Sequence, residues 1–407
     1  MRNALSLYSI QGANYILPWF TFPYLTRVLG AEKFGLVAFA QAFVFYFVVI
    51  TEYGFNFTAT REVSIHRDDP EKLSRIFSAT MAAKTILMIA SFIVMTAVVF
   101  AVPRFRQEAP LFYVTFMLVI ANVIFPVWLF QGLEKMQYIT YREVGTRLIG
   151  LAPTFLLVHG PQDYLMAAVV QSGSLLAGAI VAYIGFSRVT AARLHAVSAR
   201  EIWRTFREGW HVFLSTAAIT MYGRSNTFLL GLFAGNAEVG YFSAAVRLID
   251  AAKALVAPLT MAIFPHFSRI AHESPEQGIA FIRRNSIRLT APFILLFLGV
   301  LLGAPVIGPV LFGRKFGPSV PLLQIMSPIP AFVAVSSMYA TYYLLGMGHK
   351  KQWTTLLISA GVVNFIVLIP LLYLTKPSFA VSVTLSFVEF FVAAAAYGFY
   401  RWKTRTV

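Results

Sequence analysis

The chain has 407 residues, of which 58% are hydrophobic and 12% charged, with a formal net charge of +16 at pH 7. An average soluble domain has about 45–50% apolar and about 25% charged residues, so a soluble fold could not bury this much apolar surface. The apolar runs are also much longer than the strands of a membrane barrel. We therefore expect a polytopic α-helical membrane protein, with no disulfide, thiolate or cysteine-based metal chemistry because cysteine is absent.

Twelve segments contain the roughly 20 mainly apolar residues that a helix needs to cross a hydrocarbon core about 30 Å thick. In chain order these predicted spans are 6–28, 35–57, 76–101, 110–131, 144–159, 164–186, 210–233, 239–265, 287–309, 319–346, 353–374 and 378–400. The fifth has the weakest signal because Pro153 interrupts it. We interpret the first as a retained membrane helix, since Gln11, Asn14 and Pro18 interrupt it and no small-residue cleavage site follows a short apolar core.

The Lys and Arg residues lie mainly between the apolar segments, whereas a nucleic-acid-binding domain gathers them on one folded face. No nucleic-acid partner is therefore expected. The termini and the even-numbered connections carry 22 Lys and Arg, and the odd-numbered connections carry seven. Because positive residues in short loops stay in the cytoplasm, this bias predicts cytoplasmic N- and C-termini.

The longest inner connection, residues 187–209, is rich in Arg and has apolar residues at Ile202, Trp203 and Phe206. This pattern predicts an amphipathic interfacial helix, with a solvated linker as the alternative. Gly-x4-Gly turns at 30–35 and 235–240 are separated by six spans and indicate two related halves. We therefore predict an N-terminal six-helix lobe over 1–186, a cytoplasmic linker over 187–209 and a C-terminal lobe over 210–407.

Four cations lie well inside predicted spans, away from the span ends, and each costs on the order of 2.5–3.5 kcal/mol at a helix centre. These candidate substrate-binding residues are Lys84, Arg224, Arg247 and Lys253. Polar residues at helical spacing accompany them and predict a polar cavity, with hydrogen bonds between helices as the alternative. The stripe residues are Gln11, Asn14, Thr216, Thr220 and Ser243. Lys84 lies near enough to a helix end to reach the interface instead.

Two acidic residues complete the candidate site. Asp250 is three residues from both Arg247 and Lys253, so it can pair with either along one helix face. Glu389 lies near the middle of the last span and is either a protonation site for ion coupling or a partner for a cation of another helix. Nucleotide, zinc-protease and serine-hydrolase motifs are absent, so we expect neither an enzyme nor a bound cofactor or metal.

Several short segments resemble the Wzx-type O-antigen flippases of the polysaccharide transporter family. They are Thr21-Phe-Pro-Tyr-Leu-Thr-Arg-Val-Leu-Gly30, Glu52-Tyr-Gly-Phe-Asn56, Trp128-Leu-Phe-Gln-Gly-Leu-Glu-Lys135 and His211-Val-Phe-Leu-Ser215. The resemblance implies two six-helix lobes around a central cavity, as in multidrug-and-toxin exporters. It implies a bacterial inner-membrane protein that moves undecaprenyl-diphosphate-linked oligosaccharide to the periplasmic leaflet by alternating access, in contact with membrane lipids and polysaccharide polymerase machinery.

Three alternatives stay open at this point. A drug or cation antiporter of the same superfamily should have more acidic than basic residues in its cavity, which is the opposite of the balance here. A membrane-embedded polymerase or glycosyltransferase typically needs a large outer loop or an acidic catalytic site, and the outer loops here are short. A lipid II transporter is the third, and the quoted motifs resemble that class less.

Overall fold

The computed structural model describes residues 17–186, 190 and 192–405, without the side chains of Pro18, Phe186, Ser215, residues 218–224, Ala262 and Arg405. Its first half contains the α-helices α1 (Pro18–Glu52), α2 (Phe55–Ile65), α3 (Pro70–Ala101), α4 (Pro103–Gln107), α5 (Ala109–Thr115), α6 (Met117–Ile124), α7 (Val127–Gly132), α8 (Gln137–Leu157) and α9 (Tyr164–Phe186). Its second half contains α10 (Ala199–Phe233), α11 (Asn236–Ala254), α12 (Val256–Glu273), α13 (Pro275–Phe312), α14 (Ser319–Met326), α15 (Ile329–Ser336), a π-helix (Ser337–Leu345), α16 (Lys350–Leu374) and α17 (Pro377–Arg405).

Eight of the described helical stretches are long and apolar enough to cross a membrane, and a bent pair, Asn236–Met261 with Ile263–Glu273, makes up to nine. One of the eight, Trp19–Ile65, has 47 residues. That is about twice the roughly 20 residues of one crossing, and the stretch is broken at Gly30 and at Tyr53–Gly54, so it contains two predicted spans. The described part of every predicted span overlaps a helix, and the all-α membrane class is confirmed.

The chain divides into two compact units. Unit 1 consists of residues 1–29 and 36–224, and unit 2 consists of residues 30–35 and 225–407. The division into lobes at 187–209 stays a prediction.

At one end of unit 1, α2 packs on α7 and the first turns of α3. Trp128 of α7 is fully buried there, and its carbonyl accepts a hydrogen bond of 3.0 Å from Thr60 Oγ1. A Cβ atom at Gly132 would overlap Val63 and the Thr60 carbonyl, so only glycine allows this approach. The motif that begins at Trp128 therefore serves helix packing.

The connection after α9 is held against α3 by two serines. Ser74 Oγ accepts the Arg193 N–H at 3.0 Å, and Ser78 Oγ accepts the His195 N–H at 2.8 Å. Residues 190 and 192–198 are not helical, and α10 begins at Ala199 and continues through the predicted seventh span. In its first turns Ile202 packs on the core of unit 1.

Capping side chains set where two of these helices begin. The Asp69 carboxylate accepts the Lys72 backbone N–H at 3.1 Å, and this hydrogen bond holds the pKa of Asp69 below its usual value. Glu201 likewise accepts the backbone N–H and the hydroxyl of Ser198, which lowers the pKa of Glu201. Both caps therefore stabilise their helices above the ordinary carboxylate pKa, and their contribution is lost as the pH falls through the lowered values.

The two Gly-x4-Gly turns contact each other within unit 2. A Cβ atom at Gly35 would overlap the Asn236 carbonyl oxygen, and one at Gly240 would overlap the Ala31 carbonyl oxygen. The second glycine of each turn thus lies against the backbone that follows the first glycine of the other turn. Gly30 has a different role, because its φ of 68° lies in the left-handed region and ends the first helical stretch.

This reciprocal contact predicts that Gly240→Ala lowers the free energy of unfolding by about 1–3 kcal/mol, because a backbone carbonyl cannot move aside as a rotamer can. Gly235→Ser is the matched control: Gly235 is the N-cap of α11, and nothing lies within 4 Å of its Cβ position. Thermal unfolding in detergent measures both variants. Equal melting temperatures of Gly240→Ala and Gly235→Ser would contradict a close contact at Gly240.

Candidate functional site

Unit 2 contains an ion pair between two membrane helices. Lys253 Nζ of α11 lies 2.9 Å from Glu389 Oε1 of α17, and the two side chains are 28% and 21% exposed. At that distance the contact is a charge-assisted hydrogen bond, which offsets part of the cost of holding an ammonium group in a membrane. For Glu389, the structure therefore shows a cation partner from another helix.

Lys253 also lines a cleft of about 690 Å³, which we call the Lys253 cleft; its polar lining is Asp250, Lys253, Thr260, Ser337 and Thr341. The remaining lining is mostly apolar and includes Met261, Phe264, Val333 and Leu345. All lining residues belong to unit 2. The cleft therefore combines one cation, one carboxylate and several hydroxyls with an apolar wall.

Two departures from regular α-helix shape this cleft. The helical stretch Asn236–Met261, which includes Lys253, meets the stretch Ile263–Glu273 at a bend of 44°. Pro265 explains the bend, because proline cannot donate to the carbonyl four residues earlier and its ring collides with that carbonyl. The opposite wall is formed by the π-helix Ser337–Leu345, a conformation frequent at functional sites.

The other predicted residues of α11 do not share the cleft with Lys253, except Asp250. The Arg247 guanidinium lies 5.4 Å from the centroid of the Phe34 ring, a cation–π distance within unit 2. Ser243 is buried, and its Oγ has no hydrogen-bond partner within the part of the chain that the structure describes. Of the predicted residues on α11, only Asp250 and Lys253 thus line the cleft, whereas Ser243 is buried and Arg247 lies beside the Phe34 ring.

Lys84 of α3 is the buried cation of unit 1. It is 3% exposed, and its Nζ donates to the Asn122 carbonyl oxygen at 2.9 Å. Glu52 lies within electrostatic reach of Lys84 and makes a side-chain hydrogen bond with Asn56. Lys84 therefore does not extend to the interface, which was one of the two predictions for it.

Thr216 lines a small enclosed cavity of about 30 Å³ beside Glu52 and Asn56 in unit 1. This cavity lies at a helix break, where Tyr53 has φ 44° and Gly54 has φ 76°. Gln11 and Asn14 lie outside the described residues, as do the side chains of Thr220 and Arg224. Of the predicted polar residues on α10, the structure therefore describes the side chain of Thr216 alone.

Sequence reasoning missed several polar contacts inside the predicted spans. Asn226 and Asn364 are buried in unit 2, and their amide groups lie 3.3 Å apart. Thr260, Ser337 and Thr341 line the Lys253 cleft without forming a stripe on one helix. The electrostatic contact between Glu52 and Lys84 joins two helices, so no spacing along the chain could reveal it.

The helical membrane fold is similar to that of solved transporters of the MOP superfamily. The structure is similar to the inward-facing conformation of a multidrug resistance MATE family transporter of that superfamily, with a TM-score of 0.76 and 12% identity over 96% of this chain and 95% of the other. It is equally similar, at a TM-score of 0.76 and 10% identity, to the lipid II flippase MurJ in an inward closed conformation, over 98% of this chain and 87% of the other.

The chain belongs to the family described as Polysaccharide biosynthesis protein, which matches residues 1–271. It is 34% identical to a protein of Escherichia coli K12 named "Putative O-antigen transporter", over 92% of this chain and 90% of the other. A Shigella dysenteriae protein with the same name is 29% identical, over 91% of this chain and 93% of the other. The family resemblance drawn from the motifs is thus confirmed.

Because Lys253 and Glu389 are paired, we expect their substitutions to be strongly coupled in a double-mutant cycle of unfolding free energies. We expect Lys253→Met and Glu389→Gln each to lower the free energy of unfolding by about 1–3 kcal/mol, because each leaves one charge without its partner, and the double variant to lose less than the sum.

The control cycle uses Arg204 and Glu208, which lie 2.7 Å apart on α10 but are 77% and 46% exposed. Exposed pairs are typically worth about 0.2–1 kcal/mol, so this cycle should show little coupling in thermal unfolding. Coupling at Lys253–Glu389 no larger than at the control would mean that water screens the membrane pair equally well.

Proposed function

We propose that the protein is a flippase that moves undecaprenyl-diphosphate-linked O-antigen or related polysaccharide repeat units from the cytoplasmic to the periplasmic leaflet. Family membership carries the proposal, together with two relatives named as O-antigen transporters that align over nine-tenths of this chain. The fold shared with a lipid II flippase supports a lipid-linked cargo. On this proposal the protein is a transporter and not an enzyme.

The cations inside the membrane suit this cargo. A diphosphate is an anion that accepts several hydrogen bonds, and Arg and Lys are the side chains that bind phosphate in proteins. We assign substrate contacts to Lys253, which borders a cleft, and to Arg247, with Arg224 as a third. Lys84 has a structural role instead, because its ammonium group is buried against a backbone carbonyl.

Transport then follows an alternating-access cycle of two lobes, 1–186 and 210–407, joined by 187–209. The sugar and diphosphate enter a polar cavity while the polyprenyl chain stays in lipid. A ligand shifts a conformational equilibrium only through different affinities for the two states, so release on the outer side requires weaker diphosphate binding there.

We place the protein in the bacterial inner membrane with both termini in the cytoplasm. The distribution of Lys and Arg supports this orientation. Polysaccharide polymerase machinery is the proposed partner, since it would receive the translocated repeat units.

The transport experiment measures movement of an undecaprenyl-diphosphate-linked oligosaccharide between leaflets of proteoliposomes. We expect transport by the intact protein and a loss of about tenfold or more in Lys253→Met, because a charge-assisted hydrogen bond to the phosphate is removed. Lys350→Met removes an exposed cation at the start of α16 and should transport normally. Export of small organic cations without glycolipid transport would favour an antiporter.

The absence of cysteine makes the orientation directly testable. Single cysteines at the exposed positions His195 and Arg284 should react with a membrane-impermeant maleimide only after the cells are permeabilised. Cysteines at Gln107 and Lys376, also exposed, should react in spheroplasts without permeabilisation. Cysteine-free protein is the background control, and the reverse labelling pattern would overturn the proposed orientation.

A further inference from the structure

The Lys253 cleft has the chemical character of a site for an amphipathic anion. Lys253 supplies the cationic group, and Ser337 and Thr341 add hydroxyl groups, of which that of Ser337 donates to the Val333 carbonyl at 2.8 Å. The rest of the wall is mostly apolar. A volume of about 690 Å³ lies within the roughly 300–1,000 Å³ of typical ligand sites. Such a cleft fits a phosphate group together with the adjoining part of an apolar chain.

The Lys253 ammonium group is already occupied by a carboxylate, Glu389 Oε1 at 2.9 Å. This pair differs from the contact made by Lys84, which is 3% exposed and bonded to a backbone carbonyl. Lys253 and Glu389 keep 28% and 21% of their side-chain surface exposed, and Lys253 borders the cleft. An anion in the cleft can therefore reach the ammonium group, which has three N–H donors.

We propose that Glu389 is an internal counter-anion that occupies Lys253 in the empty protein and that a ligand phosphate displaces. A diphosphate carries more charge than a carboxylate and accepts more hydrogen bonds, so it competes successfully for Lys253. After the exchange Glu389 has lost this cation and repels the phosphate, as does Asp250, the second carboxylate at the cleft. Glu389 thus weakens diphosphate binding and promotes release.

This inference deepens the proposed function and rests on it for the identity of the phosphate, that of a polyprenyl diphosphate. It makes Glu389 a residue that sets affinity, and Lys253 the group that contacts the cargo. The sequence positions are 136 residues apart, so the exchange depends on the packing of α11 against α17.

The test is equilibrium binding of geranylgeranyl diphosphate to the full-length protein in nanodiscs. Removing the competing carboxylate in Glu389→Gln should lower the Kd about tenfold, and Lys253→Met should raise it by a similar factor. In the Lys253→Met background, Glu389→Gln should lower the Kd much less than it does with Lys253 present, because only the repulsion between carboxylate and phosphate is then removed. The matched charge controls are Glu273→Gln and Lys350→Met, exposed positions outside the cleft, which should stay within about twofold.

A Glu389→Gln variant that is folded, by its melting temperature, and binds equally or more weakly would overturn the exchange. If that variant does not fold, Glu389→Asp replaces it: its carboxylate is shorter by one methylene, and we expect a Kd about threefold lower because the pair is weakened. An unchanged or higher Kd would count against the proposal.

Two further probes separate the contributions of phosphate and chain. Inorganic diphosphate and geranylgeraniol should both bind more weakly than geranylgeranyl diphosphate, and equal binding of either would refute an amphipathic site.

The transport assay then distinguishes the two proposals. If the Kd values follow the expected pattern but the protein does not transport glycolipid, only the flippase proposal is refuted. If the protein transports glycolipid but the Kd does not depend on Glu389, only the exchange is refuted.

Discussion

The membrane interior offers no water to satisfy backbone N–H and C=O groups, and the rest of this structure depends on that constraint. Helices satisfy these groups within themselves, so the described spans are helical and their breaks occur where a specific feature permits them. Gly30 adopts a left-handed conformation, and Gly54 does so where α2 begins. After the π-helix, the Gly346 N–H donates a hydrogen bond to the Thr341 carbonyl oxygen. Irregular backbone in the described spans is therefore confined to a few positions, and two of these, Gly54 and the π-helix, adjoin cavities.

The same constraint acts on charged side chains, and the two units respond differently. Lys84 is bonded to a backbone carbonyl in a closed environment, which fixes helix packing. Lys253 is paired with a carboxylate at the edge of a cleft, where another anion can replace that carboxylate. A buried ion pair costs desolvation free energy and adds little stability on its own. The accessible pair is thus better explained by ligand exchange than by stability.

The motifs that reveal the family and the residues proposed to bind the cargo are different parts of the chain. Trp128 and Gly132 hold α7 against α2, and Gly240 allows close contact between two turns. At both glycines a Cβ atom would overlap a neighbouring backbone atom, so the constraint there is steric. A cation that borders a cleft is constrained by charge and position, so no short motif surrounds Lys253.

Sequence by itself determined the membrane class, the helical segments and the family, because apolar run length, glycine turns and packing motifs are local properties. It also placed four cations within the spans. Only the tertiary structure decided that Lys253 pairs with Glu389, that Lys84 is buried, and that α10 begins at Ala199. A helical stripe shows which face a residue occupies, but the neighbours on that face come from other helices. Pairing, burial and cleft shape are therefore properties of packing, which no single segment encodes.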